Sequence, residues 1–346
     1  MKYILIFISF FFFSVSIAQL SKTWQPNTFS YERTKVQVDL SDYYDLTKSL
    51  PTNYVKDGSV DYTEYIMAGI RKYSKVIMPN FPILTTGIGL KSNSSIYFSE
   101  KSKLILKANA KERYQILAVH GVENVKIYHP KLIGDRKYHI GSKGEWGFGL
   151  DIRQAKNIDV YNAEVSNCWG DGIIITESSF GNPNKKFKTS NINIYNSILD
   201  FNRRNGITIT GGENILIQGA LITNTFGTAP QSGLDIEPDN HLALLNKIKI
   251  YDVKINNADK GLTIVLNKFL NKNIYKSVSI DVQNLVVTNA TYGILIQKFD
   301  QKDLTNNPVT GNISIKNFKS SNTISKIYKK SNHNLFPNLN INGVKY

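Results

Sequence analysis

Residues 169–176 read WGDGIIIT, residues 202–210 read NRRNGITIT and residues 232–239 read SGLDIEPD. Each phrase sets a glycine before an alternating run: Gly172-Ile173-Ile174-Ile175, Gly206-Ile207-Thr208-Ile209, Gly233-Leu234-Asp235-Ile236. The same phrase stands upstream at Gly149-Leu150-Asp151-Ile152, and downstream at Gly261-Leu262-Thr263-Ile264 and Gly293-Ile294-Leu295-Ile296. A second phrase alternates with it: Asn124-Val125-Lys126-Ile127, Asn157-Ile158-Asp159-Val160, Asn191-Ile192-Asn193-Ile194 and Asn214-Ile215-Leu216-Ile217, with looser copies beginning at Lys247, Ser277 and Asn312. Copies recur every 23 to 34 residues, and the excess lies in polar insertions such as Phe180–Thr189 and Asp135–Trp146.

Short strands at this period cannot cover their own apolar face, and stacking coil on coil buries a continuous core. The repeat therefore predicts an all-β fold, a single-stranded right-handed parallel β-helix, with Ile173, Ile175, Ile207, Ile209, Leu234, Ile236, Leu262 and Ile264 pointing inward. Asn at the coil corners suits turns and side-chain ladders. The Leu spacing of a leucine-rich repeat is absent. Upstream, Asp57–Tyr73 carries apolar residues at helical spacing, which predicts a short helix over 61–73 with Asp61 as its cap. That helix would close the N-terminal end of the stack against edge pairing. Strands are expected at Val76–Met78, Ser95–Phe98 and Leu104–Leu106. The chain thus divides into residues 1–18, residues 19–56 as a leader without a strong period, and residues 57–346 as the β-helix domain.

Residues 1–18 have the form of a secretion signal: Lys2, an apolar centre over Ile4–Phe13, and the small-x-small site Ser16-Ile17-Ala18. The apolar run is too short to span a bilayer, so a secreted or periplasmic protein is expected, with no membrane insertion. Cys168 is the only cysteine among 346 residues, which excludes an internal disulfide and favours a buried small residue. The formal charge of +15 suits an anionic partner. The lysines are scattered and no nucleic-acid motif is present, which leaves an acidic glycan or simple solubility.

Registering the Gly-apolar strands gives outward columns. One holds Asp151, Ile174, Thr208, Asp235, Thr263 and Leu295. The next holds Arg153, Thr176, Thr210, Glu237, Val265 and Gln297. The position before glycine holds Phe148, Asp171, Asn205, Ser232, Lys260 and Tyr292. Coils rise about 4.8 Å, so Asp171 and Asp235 stand roughly 10 Å apart at Cα, while Asp235 and Glu237 are about 7 Å apart on one strand face. Asp171, Asp235 and Glu237 are therefore the candidate acid and base for glycosidic cleavage, where carboxyls about 6.5–9.5 Å apart give inversion and about 5–5.5 Å give retention. Arg203 and Arg204 are placed between acids, where a guanidinium grips a carboxylate or sulfate. They also fit as ion-pair partners of Asp171 and Asp200. Asp171 also fits a simple turn role, Asp235 and Glu237 a structural ion pair, and Asp235, Glu237 and Asp239 together a Ca²⁺ site; no other cofactor is expected.

The inserted segment GDRKYHIGSKGEWGFGLDIR (residues 134–153) puts Arg136, His139, Glu145, Trp146 and Asp151 on a loop and the strand after it, a usual place for a substrate-binding wall on a solenoid. Trp146 could stack on a sugar or anchor the loop, and His139 could be a base or a loop hydrogen-bonder. The five histidines show no zinc spacing.

At these residues the chain resembles the pectin-lyase-like superfamily of right-handed β-helix proteins. DGSVDYTEYIMAGIRKYSKVIMP (57–79) is similar to the cap and first coil of pectate-lyase-like proteins and phage tailspikes. GDRKYHIGSKGEWGFGL, NRRNGITIT and GTAPQSGLDIEPDN look like bacterial and tailspike β-helix proteins that act on polysaccharides. A looser similarity runs to polygalacturonases, with Asp171 falling on the first aspartate of their Gly-Asp-Asp motif. There Gly172 replaces the second aspartate, Arg204-Asn205-Gly206 replaces Gly-His-Gly, and Asp235-Ile236-Glu237 replaces Arg-Ile-Lys. The resemblance implies a polysaccharide substrate and, by way of the tailspikes, a homotrimer. The expected function is hydrolysis of an acidic polysaccharide. A lyase or C5-epimerase, with Arg136, Arg204, Lys260 or His139 as base, and a non-catalytic glycan-binding adhesin stand as alternatives.

Overall fold

A computed structural model describes residues 22–26, 29, 31–34, 36–178, 187–297, 305–329 and 334–346. The signal expected at residues 1–18, and residues 180–186 of the Phe180–Thr189 insertion, lie outside the described residues. The strands join in one continuous ladder in which all pairings but the last run parallel. Strand, turn, strand, turn, and the chain returns one coil further on: this is the parallel β-helix that the repeat predicts, with the right-handed crossover that parallel strands require.

The second sequence phrase shows why the coils stack in register. Val125, Ile158, Ile192, Ile215, Ile248, Ile280 and Ile313 follow one another in a single interior column, all 2% exposed or less. The residue before each apolar position turns the corner in the left-handed region, with φ of 54–56° at Asn124, Asn157, Asn191, Asn214 and Lys247. Asparagine tolerates that region better than other side chains with a Cβ. Its amide then donates to the coil below: Asn124 to Asn93, Asn157 to Asn124, Asn191 to Asn157 and Asn214 to Asn191, at 2.8–3.0 Å. The copy expected from Ser277 begins two residues later, because a register shift between Leu245 and Ile248 brings Ile280 opposite Ile248.

The helix runs over Thr63–Lys72, two residues later than the predicted start. Asp61 does supply the capping oxygen, accepting from the Thr63 N–H at 3.0 Å and the Thr63 hydroxyl at 2.7 Å. Tyr62 stands between them as the first half-helical residue. Glu64 in the first turn and Arg71 and Lys72 in the last match the helix dipole. Its buried face, Ile66, Gly69 and Ile70, closes on Leu46. A Cβ on Gly69 would lie 2.2 Å from a Leu46 methyl, so only glycine lets the helix sit this close. At the far end, Asn338–Ile341 pairs antiparallel with Val344–Lys345, which occupies the edge of that last strand.

The expected leader does not wander. Lys22 donates to the Asn289 carbonyl, and Asn257 donates to the Thr23 carbonyl. Gln25 exchanges two hydrogen bonds with Asn224, and Arg33 and Thr34 both bond Asn162. Residues 22–25 and 33–34 thus bond the corner asparagines of several coils. Among the described residues no helix is long and apolar enough to cross a membrane.

Candidate active site

The wall that carries the glycine phrases consists of strands Trp146–Arg153, Ile173–Thr176, Ile207–Ile209 and Ser232–Ile236 and the ends of Leu245–Ile264 and Val286–Ile296. Its register is the one read from sequence: Asp151 opposite Ile174, Ile174 opposite Thr208, Thr208 opposite Asp235, Asp235 opposite Thr263. The inward residues Ile173, Ile175, Ile207, Ile209, Leu234, Ile236, Leu262 and Ile264 are all core. The outward column is also covered, however. Asp151, Thr208 and Asp235 are each 1% exposed and Asp171 is fully buried. The side chains and loops beside the wall form a roof over it.

Beneath that roof lies one polar network. The Arg204 Nη1 donates to both Asp171 oxygens, at 3.2 and 3.0 Å. The Thr208 hydroxyl donates to Asp171 Oδ2 at 2.8 Å. Asn205 donates to the Thr208 hydroxyl at 2.9 Å and to Asp235 Oδ2 at 3.0 Å, and its own oxygen accepts from the Ser232 N–H at 3.0 Å. Glu145, from the inserted loop, stands 3.4 Å from Arg204 Nε. Glu237 sits at the rim, with Lys268 3.7 Å away. Asp171, Arg204, Asp235, Glu237 and Glu145 are therefore one constellation drawn from four coils. Asn205, Thr208 and Lys268 complete it. Asn205 and Thr208 lay in the right columns but carry no charge to mark them, and Lys268 lies in a turn outside the repeat.

The Asp235 Oδ1 is buried without a hydrogen-bond partner. Burial, and then the neighbouring Glu237 charge, push the Asp235 carboxyl from 3.8 up to about 8, against the pull of Arg204. A pKa raised that far favours the protonated carboxyl at neutral pH, the form a general acid requires. Burial also raises Asp171, with Arg204 and Thr208 opposing it. Burial works against the charge on Arg204, but Asp171, Asp235 and Glu145 outweigh it and push its pKa up.

Other expected residues are engaged elsewhere. Arg136 donates to the carbonyls of Phe201 and Phe226 at 2.9 and 2.7 Å and lies over both rings; it clamps two coils and does not enter the cleft. Burial, then Arg203, lower its pKa to about 10. The His139 side chain is fully buried against Asp135, with Nδ1 2.8 Å from Oδ2, so it cannot reach a substrate as a base. Lys260 is held by Asp259 and the Pro230 carbonyl, at 2.6 and 2.7 Å. Trp146 carries the Arg113 guanidinium 4.2 Å from its ring centre, so that ring is already stacked. Arg203 does not pair with Asp200; it donates to the carbonyls of Gly144 and Trp169. Asp151 forms a separate cluster on the same wall, bonded by Arg153 at 2.9 Å and facing His120 Nε2 at 3.0 Å.

The Ca²⁺ alternative does not form. Among the described residues no three His, Cys, Asp or Glu side chains converge to hold a metal; Asp235 faces Asn205, Glu237 faces Lys268 and Asp239 is exposed. A cleft of about 750 Å³ opens on another face, lined by Pro82, Lys103, Lys131, Glu164 and Asp200. It holds none of this network, and the geometry of the carboxyls outweighs its size in locating the site.

The architecture has solved counterparts, all right-handed parallel β-helices, the fold of the pectin-lyase-like proteins. A 1,3-α-1,4-β-D-galactose-4-sulfate-3,6-anhydro-D-galactose-2-sulfate 4 galactohydrolase matches with a TM-score of 0.59 at 14% identity, over 84% of this chain and 74% of its own. The polygalacturonase of Erwinia carotovora matches with a TM-score of 0.53 at 16% identity, over 88% and 99%. The tailspike of E. coli bacteriophage HK620, solved with a hexasaccharide, matches with a TM-score of 0.56 at 12% identity, over 86% and 58%. No protein-family model matches the chain. In sequence it is 32% identical over 161 residues to the uncharacterized protein YclG of Bacillus subtilis. It is also 29% identical over 167 residues to the SPbeta prophage-derived uncharacterized protein YorA of the same organism. These alignments take in 44% and 45% of this chain and 27% and 28% of the relatives, so the chain spans little more than a quarter of their length.

Proposed function

We propose that this protein is a secreted or periplasmic glycoside hydrolase that cleaves an anionic polysaccharide. The observation that carries the reading is the Asp235 carboxyl: buried, with one oxygen unpartnered, Glu237 two residues along the same face, and its pKa pushed by burial up to about 8. Asp235 Oδ1 donates its proton to the glycosidic oxygen as the bond to the anomeric carbon breaks. Glu237, a half-buried carboxylate at the rim, takes a proton from the water that attacks that carbon. The two side chains leave one strand face two residues apart, about 7 Å at Cα, so both can face one glycosidic bond. The new Asp235 anion is then held by the Asn205 amide and by the field of Arg204. Asp171 keeps Arg204 in place through both its oxygens. Arg204 and Lys268 supply the positive charge that an acidic sugar would meet, and the net charge of +15 favours its approach.

With Asp235 only 1% exposed, substrate approaches it from the rim at Glu237, whose side chain is 24% exposed. The fold, and the hexasaccharide bound by one of its structural counterparts, support the substrate class, and the signal-like form of residues 1–18 supports the location. The test is digestion of a panel of uronate-containing and sulfated polysaccharides, with products identified by mass. New reducing ends without an ultraviolet-absorbing unsaturated uronate are expected. Unsaturated products would replace hydrolysis by a lyase, and retained binding without products would leave a glycan-binding protein.

A further inference from the structure

Beside the wall stands a pillar of flat groups, one from each of four successive coils. The Tyr114 and His139 rings stack with centroids 5.7 Å apart and planes at 16°. His139 stacks on Trp169 at 4.1 Å and 21°, and the Arg203 guanidinium lies 3.7 Å from the Trp169 ring centre. Two groups this close to one ring centre would collide on the same side, so Trp169 is sandwiched between them. The pillar is locked at its base: Tyr114 donates to Asp135 Oδ1 at 2.6 Å and His139 meets Asp135 Oδ2 at 2.8 Å.

The upper members both hold the inserted loop. Trp169 Nε1 donates to the Lys143 carbonyl at 3.2 Å, and Arg203 Nη1 donates to the Gly144 carbonyl at 2.9 Å. Gly144 takes φ +84°, and a Cβ there would meet Glu112 Cα at 2.6 Å, so the loop is pressed flat at this point. The next residue is Glu145, whose carboxylate faces Arg204.

From this we infer that Trp169 and Arg203 are positioning residues. By holding the carbonyls of Lys143 and Gly144 they fix Glu145 at the outer edge of Arg204, and so pre-form the substrate-facing wall over Asp235. The inference rests on the proposed hydrolase for its kinetic consequence, but the docking itself is a property of the fold. A wall already in its binding position spares the substrate the cost of ordering it.

Two measurements test this separately. Trp169→Phe keeps the ring and removes the indole donor, and Arg203→Lys keeps the charge and removes the flat stack. In the full-length protein, hydrogen exchange of the peptide covering 136–146 is expected to quicken about fivefold in Trp169→Phe, the loss of one hydrogen bond. Peptides covering 173–176, 207–209 and 232–236 stay at the wild-type rate. Unchanged exchange at 136–146 in both variants overturns the docking, whether or not any polysaccharide is cleaved. On a cleaved substrate, Trp169→Phe is expected to raise KM about fivefold and leave kcat within twofold. Placed on Glu145→Ala it adds nothing further, because the group it positions is gone. Equal effects with and without the Glu145 side chain overturn the positioning role, even where the loop has loosened. Failure of the glycan panel with faster exchange at 136–146 counts against the hydrolase and not against the docking.

Discussion

Asp235→Asn separates the proposed chemistry from stability. The side chain keeps its shape, and its oxygen still accepts from Asn205 at the position now 3.0 Å away. What changes is the proton. In the folded protein burial raises the Asp235 pKa from 3.8 to about 8, while the unfolded chain keeps the ordinary value. The folded form therefore binds a proton that the unfolded form has released at every pH between those values. The contribution of this group to stability is complete below about pH 4 and is lost as pH rises through about 8. At pH 7 the gap spans about three pH units at roughly 1.4 kcal/mol each, a penalty of about 4 kcal/mol. The amide needs no proton and escapes it. Denaturant midpoints of wild type and Asp235→Asn, measured from pH 4 to pH 8, are expected to coincide at the acid end and diverge steadily, with the variant the more stable. Activity moves the opposite way, falling about 10²- to 10⁴-fold with loss of the acid. Parallel stability curves would show that Asp235 is ionised in the fold, and the acid role would fall with that result.

Activity of the wild type should decline as pH rises through about 8, when Asp235 releases its proton; a pH–rate profile flat from 6 to 10 contradicts this. Arg204→Met leaves Asp171 buried without its cation and should cost about 3–5 kcal/mol, read as a lowered denaturation midpoint. Asn157 sits at φ 56° in the middle of the corner ladder, so Asn157→Ala should destabilise more than Asn157→Gly, although both lose the same hydrogen bonds. Ile250→Ala, a fully buried residue remote from the acids in the chain, should cost about 2–5 kcal/mol in unfolding experiments and leave KM unchanged.

The fold was legible because each coil repeats one physical requirement. An interior isoleucine must lie over the last, and a left-handed corner selects asparagine. Those two constraints print a pattern over the chain, and the wall columns follow from it residue by residue. Asp171, Arg204 and Asp235 could be brought together on that register alone. The pattern falls silent where the chain leaves it. Asn205 and Thr208 bridge the acids by hydrogen bonds that spacing does not announce. His139, Trp169 and Arg203 come from turns of different length and Tyr114 from the strand Arg113–His120, so no period joins them. Arg136 and Lys260 looked free because a charge in a sequence shows no carbonyl partner. Residue alternation told which acids leave the core, but not that side chains and loops would then bury them. The copy near Ser277 is displaced from the sequence pattern because an irregularity in one strand moves the pairing after it by whole residues.

The leader segment changes how such a stack should come apart. A solenoid is close to one-dimensional: each coil touches only its neighbours, so the ends can peel while the centre holds. The described residues of the leader break that locality, for Lys22 reaches Asn289 and Arg33 reaches Asn162. The segment works as a tie rod laid along the outside of a stack of plates. With it in place, no plate between its anchors can open without also loosening the rod, and distant coils melt together. Cut away, the same plates would fray from the ends in sequence, and a single sharp transition would broaden into a series of small ones.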